Sequence, residues 1–355
     1  MRRVLPLAVA LLLLVAPSAG ARTITIAVSG DLLIHEPLWR QAASYAHGAG
    51  YDFRPMFRRI RPLISSADLA FCHVETPLTA KAPSSFPTFS TPRALAVAIR
   101  RAGWDACSTA SNHTLDQGAD GVAQTLAALD ANGIAHTGSA RSAAAERRPL
   151  IVETRDGVKV ALLAWTQVHY QDDAARPWLV HAVDTDARPI LAEARRAREL
   201  GAQIVVVNVH WGEELVAEPT AAQLVLARQL AASPLITAVV GQHAHLVQPI
   251  RMIAGMPVLF GEGNLISAQA RNEKPKLPAE TQDGLIGLLR IRVPAHGQPS
   301  LKRIDYVPVY VDHADFAVIP VGVDRSLAEY RDSLARTVAT VGHGARYRAW
   351  RGRTG

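Results

Sequence analysis

The sequence predicts a layered α/β protein with mixed, largely parallel sheets and a C-terminal elaboration. Three observations predict it. Apolar runs of strand length recur along the chain, segments of helical spacing alternate with them, and polar residues able to bind metals stand where the apolar runs stop. A parallel connection needs a crossover of a dozen or so residues, so this alternation lays helices over both faces of a buried sheet. With 355 residues and 49% hydrophobic content the chain can bury one large core or two smaller ones, and it is too apolar to be a disordered polymer.

Taken in order, residues 1–21 read as a secretory signal: Arg2 and Arg3 begin it, residues 5–15 are apolar, and Ala19, Gly20 and Ala21 form a small-residue cleavage site. Cleavage near Ala21 would expose Arg22 and export the mature chain to the periplasm, cell surface or medium. An uncleaved anchor is the rival, opposed by an apolar run shorter than the ~20 residues that span a bilayer. Strands are expected at 23–29, 67–74, 106–110, 158–165, 204–209 and 236–240, with helices at 92–102, 118–131, 184–200 and 220–232. The Asp156-Gly157 pair between apolar residues 150–154 and 158–165 signals a hairpin, which makes the sheet mixed. Residues 267–283 are polar with two prolines and read as a loop before strands at 284–293 and 301–311. A helix at 326–338 and a frayed arginine-rich tail from Gly342 close the chain. The expected organisation is a signal at 1–21, one domain at 22–311, and a helical extension and tail at 312–355.

The net charge of +7 comes mainly from arginines scattered along amphipathic stretches such as 188–198, the pattern of a solvated helix face. It suits an anionic surface or polymer outside the cell. A nucleic-acid partner is not expected, because neither a clustered basic stripe nor a known module is present. The two cysteines, Cys72 and Cys107, sit in apolar runs. In an oxidising compartment they can pair, or they can remain two buried thiols acting as small hydrophobes.

The chemistry-bearing residues cluster at the ends of the apolar runs. Gly30-Asp31 follows the first, His73 and Glu75 the second, Asn112 and His113 the third, Asn208 and His210 a later one, and His243 and His245 the last. In open α/β sheets, ligands bind beyond the carboxyl ends of strands. Each residue alone has a bland reading: Asp31 as a turn carboxylate capping a helix, Glu75 as a loop residue, His210 as a core histidine bonded to backbone. The pair His243 and His245 is more specific, because i and i+2 side chains on an extended segment point the same way. Together, Asp31, Glu75, Asn112, His210, His243 and His245 make an oxygen and nitrogen set suited to one or two divalent ions of manganese, iron, zinc or magnesium. His113 diverges from its neighbour Asn112 and is better placed as a general acid. Asp116 can orient its imidazole or can simply favour a helix N-terminus. His35 can reach the metal rim or line its mouth, and the Gly263-Asn264 pair reads as a turn that shapes the wall or as an ordinary tight turn.

These blocks resemble the poly-γ-glutamate capsule-synthesis (CapA-like) family, whose fold is similar to calcineurin-like metallophosphoesterases. The matching segments are VSGDLLIH at 28–35, DLAFCHVETPLT at 68–79, STASNHTLDQG at 108–118, VNVHWGEEL at 207–215, AVVGQHAHLVQPI at 238–250 and LFGEGNLIS at 259–267. The resemblance implies a metallophosphoesterase-like α/β sandwich, with Asp31, Glu75, Asn112, His210, His243 and His245 facing the metal and His113 as the catalytic histidine. The chain departs from the family pattern at His73, where Asn is usual, at Gln117, where an aromatic is usual, and at Glu262, where leucine is frequent. His73 can add a ligand or a supporting contact. The implied function is that of an exported metal-dependent hydrolase or transferase in capsule or poly-γ-glutamate synthesis or attachment. Its substrate would be an anionic extracellular polymer or a phosphoester, and its neighbours a membrane-bound polymer-synthesis complex. The alternative is a non-catalytic metal-binding scaffold of a capsule synthesis and export assembly.

Overall fold

Alternate residues of a strand face opposite sides of a sheet, and here both sides are apolar. Ile24, Ile26 and Val28 of the first strand point into one core, and Ala27 points into another. Likewise Ile204 and Val206 face one side of their strand, while Val205, Val207 and Val209 face the other. Strands buried on both faces call for two sheets stacked face to face with helices outside each. That is the architecture of the computed structural model, which describes residues 21–269, 277–344 and 346–350. The expected signal lies outside the described residues except for Ala21. No described helix is long and apolar enough to cross a membrane.

The first sheet has nine described strands. Arg22–Leu32 lies at its centre, with Leu69–Val74, Ala106–Ser108 and Ala135–Thr137 following in parallel on one side. Asp283–Val293, Ser300–Asp312 and Ala317–Pro320 extend it antiparallel on the other, and the short strand Asn264–Ile266 runs parallel to the end of the first. The second sheet has six strands in the order Ile250–Ile253, Met256–Leu259, Ala238–His243, Ile204–Trp211, Lys159–Thr166 and Leu150–Glu153. Its two outer pairs are antiparallel and its inner ones parallel. The sandwich is therefore mixed, as expected, and the Asp156-Gly157 hairpin is present. The inter-sheet core joins Ile26, Val28 and Phe71 to Leu162, Val206 and Val240. A one-residue slip in either sheet would exchange the faces, and each Val, Leu or Ile so displaced would forgo roughly 1.5–3 kcal/mol of burial.

Helices Glu36–Tyr45 and Ala94–Ala102 cover the first sheet, and Arg188–Glu199 and Ala221–Ala231 cover the second. Arg188–Glu199 begins four residues later than the hydrophobic pattern suggested, because Pro189 in its first turn presets a helix start. The Ala221–Ala231 helix opens with a capping box between Thr220 and Gln223. Cys72 and Cys107 are directly opposed on neighbouring strands and form a disulfide.

The C-terminal region differs from expectation. The boundary at 311/312 falls inside the strand Ser300–Asp312, and residues 312–350 contribute two strands to the first sheet besides the helix Ala328–Val341. Tyr347–Ala349 pairs in parallel with Ser300–Asp312, Tyr347 and Ala349 pack on the inter-sheet core, and Arg348 Nε donates to Asp305 Oδ1 at 3.1 Å. The segment read as a frayed tail thus docks as far as Trp350, because its alternate residues are apolar.

Candidate metal centre

The register sets the site. Across the first sheet, Ser108 stands opposite His73, His73 opposite Asp31, and Asp31 opposite Asn264, so four strand ends contribute one polar row. Across the second sheet, His210 stands opposite Gln242, next to His243. The two rows meet where the sheets' carboxyl ends converge. Close backbone approach makes this possible at two glycines: a Cβ on Gly30 would lie 1.9 Å from Gly263 O, and one on Gly241 would lie 2.1 Å from Phe260 O. Gly241 therefore serves close backbone packing.

Three groups of side chains each bring potential ligand atoms within 4.8 Å of one another: Asp31, His73 and His210; Asp31, Glu75 and His245; and Glu214, His243 and His245. Asp31 belongs to two of them and can bridge. His73 Nε2 lies 3.8 Å from Asp31 Oδ1, and His245 Nε2 lies 3.8 Å from Glu75 Oε1. His245 Nδ1 donates to Asp31 Oδ2 at 3.2 Å and to Asn264 Oδ1 at 3.1 Å. The Asn264 amide nitrogen is committed to Thr281 O and Gln269 Oε1, so its oxygen must face His245. His210 Nε2 donates to Asn112 Oδ1 at 2.9 Å, since an amide oxygen only accepts, and this leaves Nδ1 with a free lone pair.

The electrostatics call for a cation. Asp31 Oδ1, His73 Nε2, both Glu75 oxygens, His210 Nδ1 and His243 Nδ1 are buried and have no hydrogen-bond partner among the described residues. Leaving so many polar atoms unpaired is costly, and a divalent ion is a partner that satisfies carboxylate oxygens and imidazole lone pairs together. Burial lowers His73 to about 4 and His243 to about 3, and it drives His210 well below the usual histidine range with help from neighbouring imidazoles. Neutral rings are what metal ligation requires. Burial pushes the Glu75 carboxyl well above its ordinary range. Burial also opposes charge on His245, but Glu75 and Asp31 outweigh it and raise that ring to about 9, so an ion bound at its Nε2 would displace a proton there. The residues present thus fit a divalent ion, and the donor set suits manganese, iron, zinc or magnesium.

The sequence-derived residues fall into place unevenly. Asp31, Glu75, His210, His243 and His245 converge as expected, and His73 joins them. The histidine pair does so by a different backbone route: His243 and His245 have φ values of 92° and 54°, so the strand ends at His243 and the chain turns through the left-handed region. Asn112 reaches the centre through His210. His113 stands beside the cluster, its Nδ1 2.8 Å from Asp116 Oδ2, so Asp116 orients the ring. His35 lines the wall, its ring 5.4 Å from Phe89, and lies in none of the three groups. Asn264 is a buried partner of His245 rather than only a turn residue.

Sequence reasoning missed Glu214, the exposed carboxylate four residues after His210, and Tyr170, whose hydroxyl lies 3.3 Å from Glu214 Oε1 and whose ring stands 5.9 Å from His113. It also left Ser108 and Gln242 without a role. A polar side chain inside a fully buried strand must have a partner, and that was their available signal. Volume does not mark the centre: clefts of about 580 and 640 Å³ lie along the C-terminal helix instead.

Residues 25–269 match the family described as bacterial capsule synthesis protein PGA_cap. The PGA biosynthesis protein CapA of Bacillus subtilis is 25% identical over 60% of this chain and 57% of its own length. The capsule biosynthesis protein CapA of Bacillus anthracis is 23% identical over 69% of this chain and 60% of its own. The chain thus spans about three fifths of the length of these curated relatives. Among solved structures, a phosphatase from Mycoplasma pneumoniae has a TM-score of 0.49 at 12% identity, covering 81% of this chain and 94% of that one. A calcineurin-like phosphoesterase from Bacillus subtilis has a TM-score of 0.48 at 14% identity, covering 90% and 97%.

Proposed function

The chain belongs to the bacterial capsule synthesis protein family PGA_cap, and from that premise we propose that it is an exported, metal-dependent hydrolase or transferase in the synthesis or attachment of a capsule polymer such as poly-γ-glutamate. The observation that carries this is the convergence of unpartnered buried carboxylate and imidazole atoms on one point between the two sheets. The CapA proteins named above support the polymer, and the Cys72–Cys107 disulfide, a bond that persists in oxidising compartments, supports export.

Asp31, Glu75, His73, His210, His243 and His245 would hold one or two divalent ions. Bound there, such ions would polarise a phosphoryl or acyl oxygen and make water a stronger nucleophile. The protein's own contribution is geometric and acid–base. Asp116 fixes the His113 ring through Nδ1–H, Phe89 packs edge-on against it at 4.7 Å, and in its imidazolium form the ring can give the Nε2 proton to a leaving group. Asn112 orients His210. Tyr170 and Glu214, on the exposed side, would meet an incoming anionic polymer or phosphoester first, and a membrane-bound polymer-synthesis complex is the partner that would deliver it. The near-complete burial of Asp31, His73, Glu75 and His210 favours a second reading, a closed structural metal in a non-catalytic scaffold of the same assembly.

Metal content and hydrolysis of p-nitrophenyl phosphate and of poly-γ-glutamate, measured on the purified protein, separate the two. His113→Ala should retain the metal and lose about 10²–10⁴ in turnover. Asn112→Ala should weaken both. Full activity in both variants would sink the catalytic assignment, and bound metal without turnover would leave the scaffold.

A further inference from the structure

Beneath the metal-facing residues a line of side-chain hydrogen bonds crosses from the first sheet to the second. His73 Nδ1 meets the Ser108 hydroxyl, which donates to Asn208 Oδ1 at 3.0 Å. The Asn208 amide nitrogen donates to Gln242 Oε1 at 2.6 Å, and the Gln242 amide nitrogen donates to Glu262 Oε2 at 2.8 Å. All five side chains are at most 1% exposed. Water therefore does not compete for any of these bonds, and each link has a direction. An amide nitrogen only donates and an amide oxygen only accepts. In the structure Glu262 Oε2 accepts at one end, so Gln242 turns its nitrogen toward Glu262 and its oxygen toward Asn208. Asn208 must then turn its nitrogen toward Gln242 and its oxygen toward Ser108. The single hydroxyl proton of Ser108 is committed to Asn208, so the Ser108 oxygen accepts the proton on His73 Nδ1. A neutral imidazole with its proton on Nδ1 carries its lone pair on Nε2. That is the His73 atom with no partner, aimed at Asp31 Oδ1 from 3.8 Å.

We propose that Glu262, acting through Gln242, Asn208 and Ser108, sets the tautomer and orientation of His73 and thereby makes His73 Nε2 a metal ligand. Glu262 touches no metal-facing atom of His73 and is a positioning residue. The consequence is a centre with two unlike halves. Asp31, His73 and His210 form a nitrogen-rich half suited to zinc, and Asp31, Glu75 and His245 form an oxygen-richer half suited to manganese or magnesium. The Ser108 contact also holds the ring in place, as partners of metal-binding histidines do. The inference rests on the metal-binding part of the function proposed above and does not require catalysis.

The test reads binding and tautomer rather than turnover. In the metal-free protein, nitrogen-detected imidazole NMR of His73, assigned with His73→Asn, should show the Nδ1–H tautomer. Zinc titration of the wild type should reveal a tighter site that His73→Asn removes. Glu262→Leu and Ser108→Ala should weaken that site about tenfold to a hundredfold, mix the His73 tautomers, and leave manganese binding in the other half near its wild-type strength. Glu262→Gln still offers an oxygen to Gln242 and should restore most of the zinc affinity, which separates positioning from a general loss of packing. If Glu262→Leu misfolds, Ser108→Ala and Glu262→Gln carry the comparison. An Nε2–H tautomer in the wild type, or zinc affinity unchanged in both Ser108→Ala and His73→Asn, overturns the proposal. Tight zinc binding with the Nδ1–H tautomer but no hydrolysis upholds it while removing the catalytic reading.

Discussion

One oxygen of Asp116, Oδ2, accepts from His113 Nδ1 at 2.8 Å and from the Phe89 backbone N–H at 2.7 Å. The second bond anchors that oxygen beside the ring, so His113 keeps its proton on Nδ1 and turns Nε2 outward. Asp116→Asn can still place an oxygen on both donors but removes the negative charge beside the ring and adds a competing amide donor, so the imidazole is held less firmly in this tautomer. Turnover should fall about tenfold to a hundredfold with metal content unchanged. Steady-state kinetics beside metal analysis checks this, and unaltered turnover would return Asp116 to the helix-end role that its position also allows. At the same scale, two of the three departures noted in the sequence, His73 and Glu262, stand at opposite ends of one hydrogen-bonded line. Nothing in their spacing of nearly two hundred positions announces that.

The helix Arg188–Glu199 shows what an amphipathic pattern does and does not reveal. Arg188, Arg195 and Arg196 are exposed, as the charge scatter implied, but Arg198 is half-buried and donates to the Leu235 and Ala202 carbonyls, and Glu193 turns inward and is 2% exposed, taking a 2.8 Å bond from Trp165 Nε1. Burial raises its carboxyl from 4.5 to about 7, against the Trp165 bond and Arg196. The folded state therefore holds this proton more tightly than the unfolded one. Below pH 4.5 both states are protonated and no stability is lost. Between 4.5 and about 7 the unfolded chain ionises first and stability falls, by roughly 3 kcal/mol in all, and above that range the loss is constant. Glu193→Gln keeps an oxygen for Trp165 and removes the titration. Its urea midpoint should match the wild type at pH 4 and exceed it at pH 8. A difference that does not vary with pH would show that the folded protein does not hold Glu193 in its neutral form.

For the molecule as a whole, the centre is a seam. Its candidate ligands come from both sheets, so an ion bound there would join two layers that otherwise meet through apolar side chains. Any ion that binds only the folded state stabilises it by mass action, about 2.7 kcal/mol at a free concentration a hundredfold above its dissociation constant. Chelation should therefore lower the melting temperature by several degrees, and zinc or manganese should restore it. Asp31→Asn, which touches both halves, should abolish the response. A melting curve indifferent to chelator and to millimolar metal would mean that the buried donors are satisfied in some other way.

Much of this was legible in the chain. Strand and helix alternation, the hairpin at Asp156-Gly157 and the polar residues at strand ends are local patterns, written within a few residues by side-chain period and turn chemistry. By itself the sequence determined an α/β sandwich and named most of the residues that the structure gathers into candidate metal-binding groups. It reached His243 and His245 by the wrong backbone route, because the left-handed turn there is imposed by packing rather than by residue type. Only the tertiary structure decided the strand order within the two sheets, that the C-terminal segment adds strands to the first of them, and that Ser108, Asn208, Gln242 and Glu262 form one line under His73. The physical reason is that hydrophobic period is a property of neighbouring residues. Strand order, register and the direction of a buried hydrogen bond are settled between residues far apart in the chain, once the two sheets have closed on each other and excluded water.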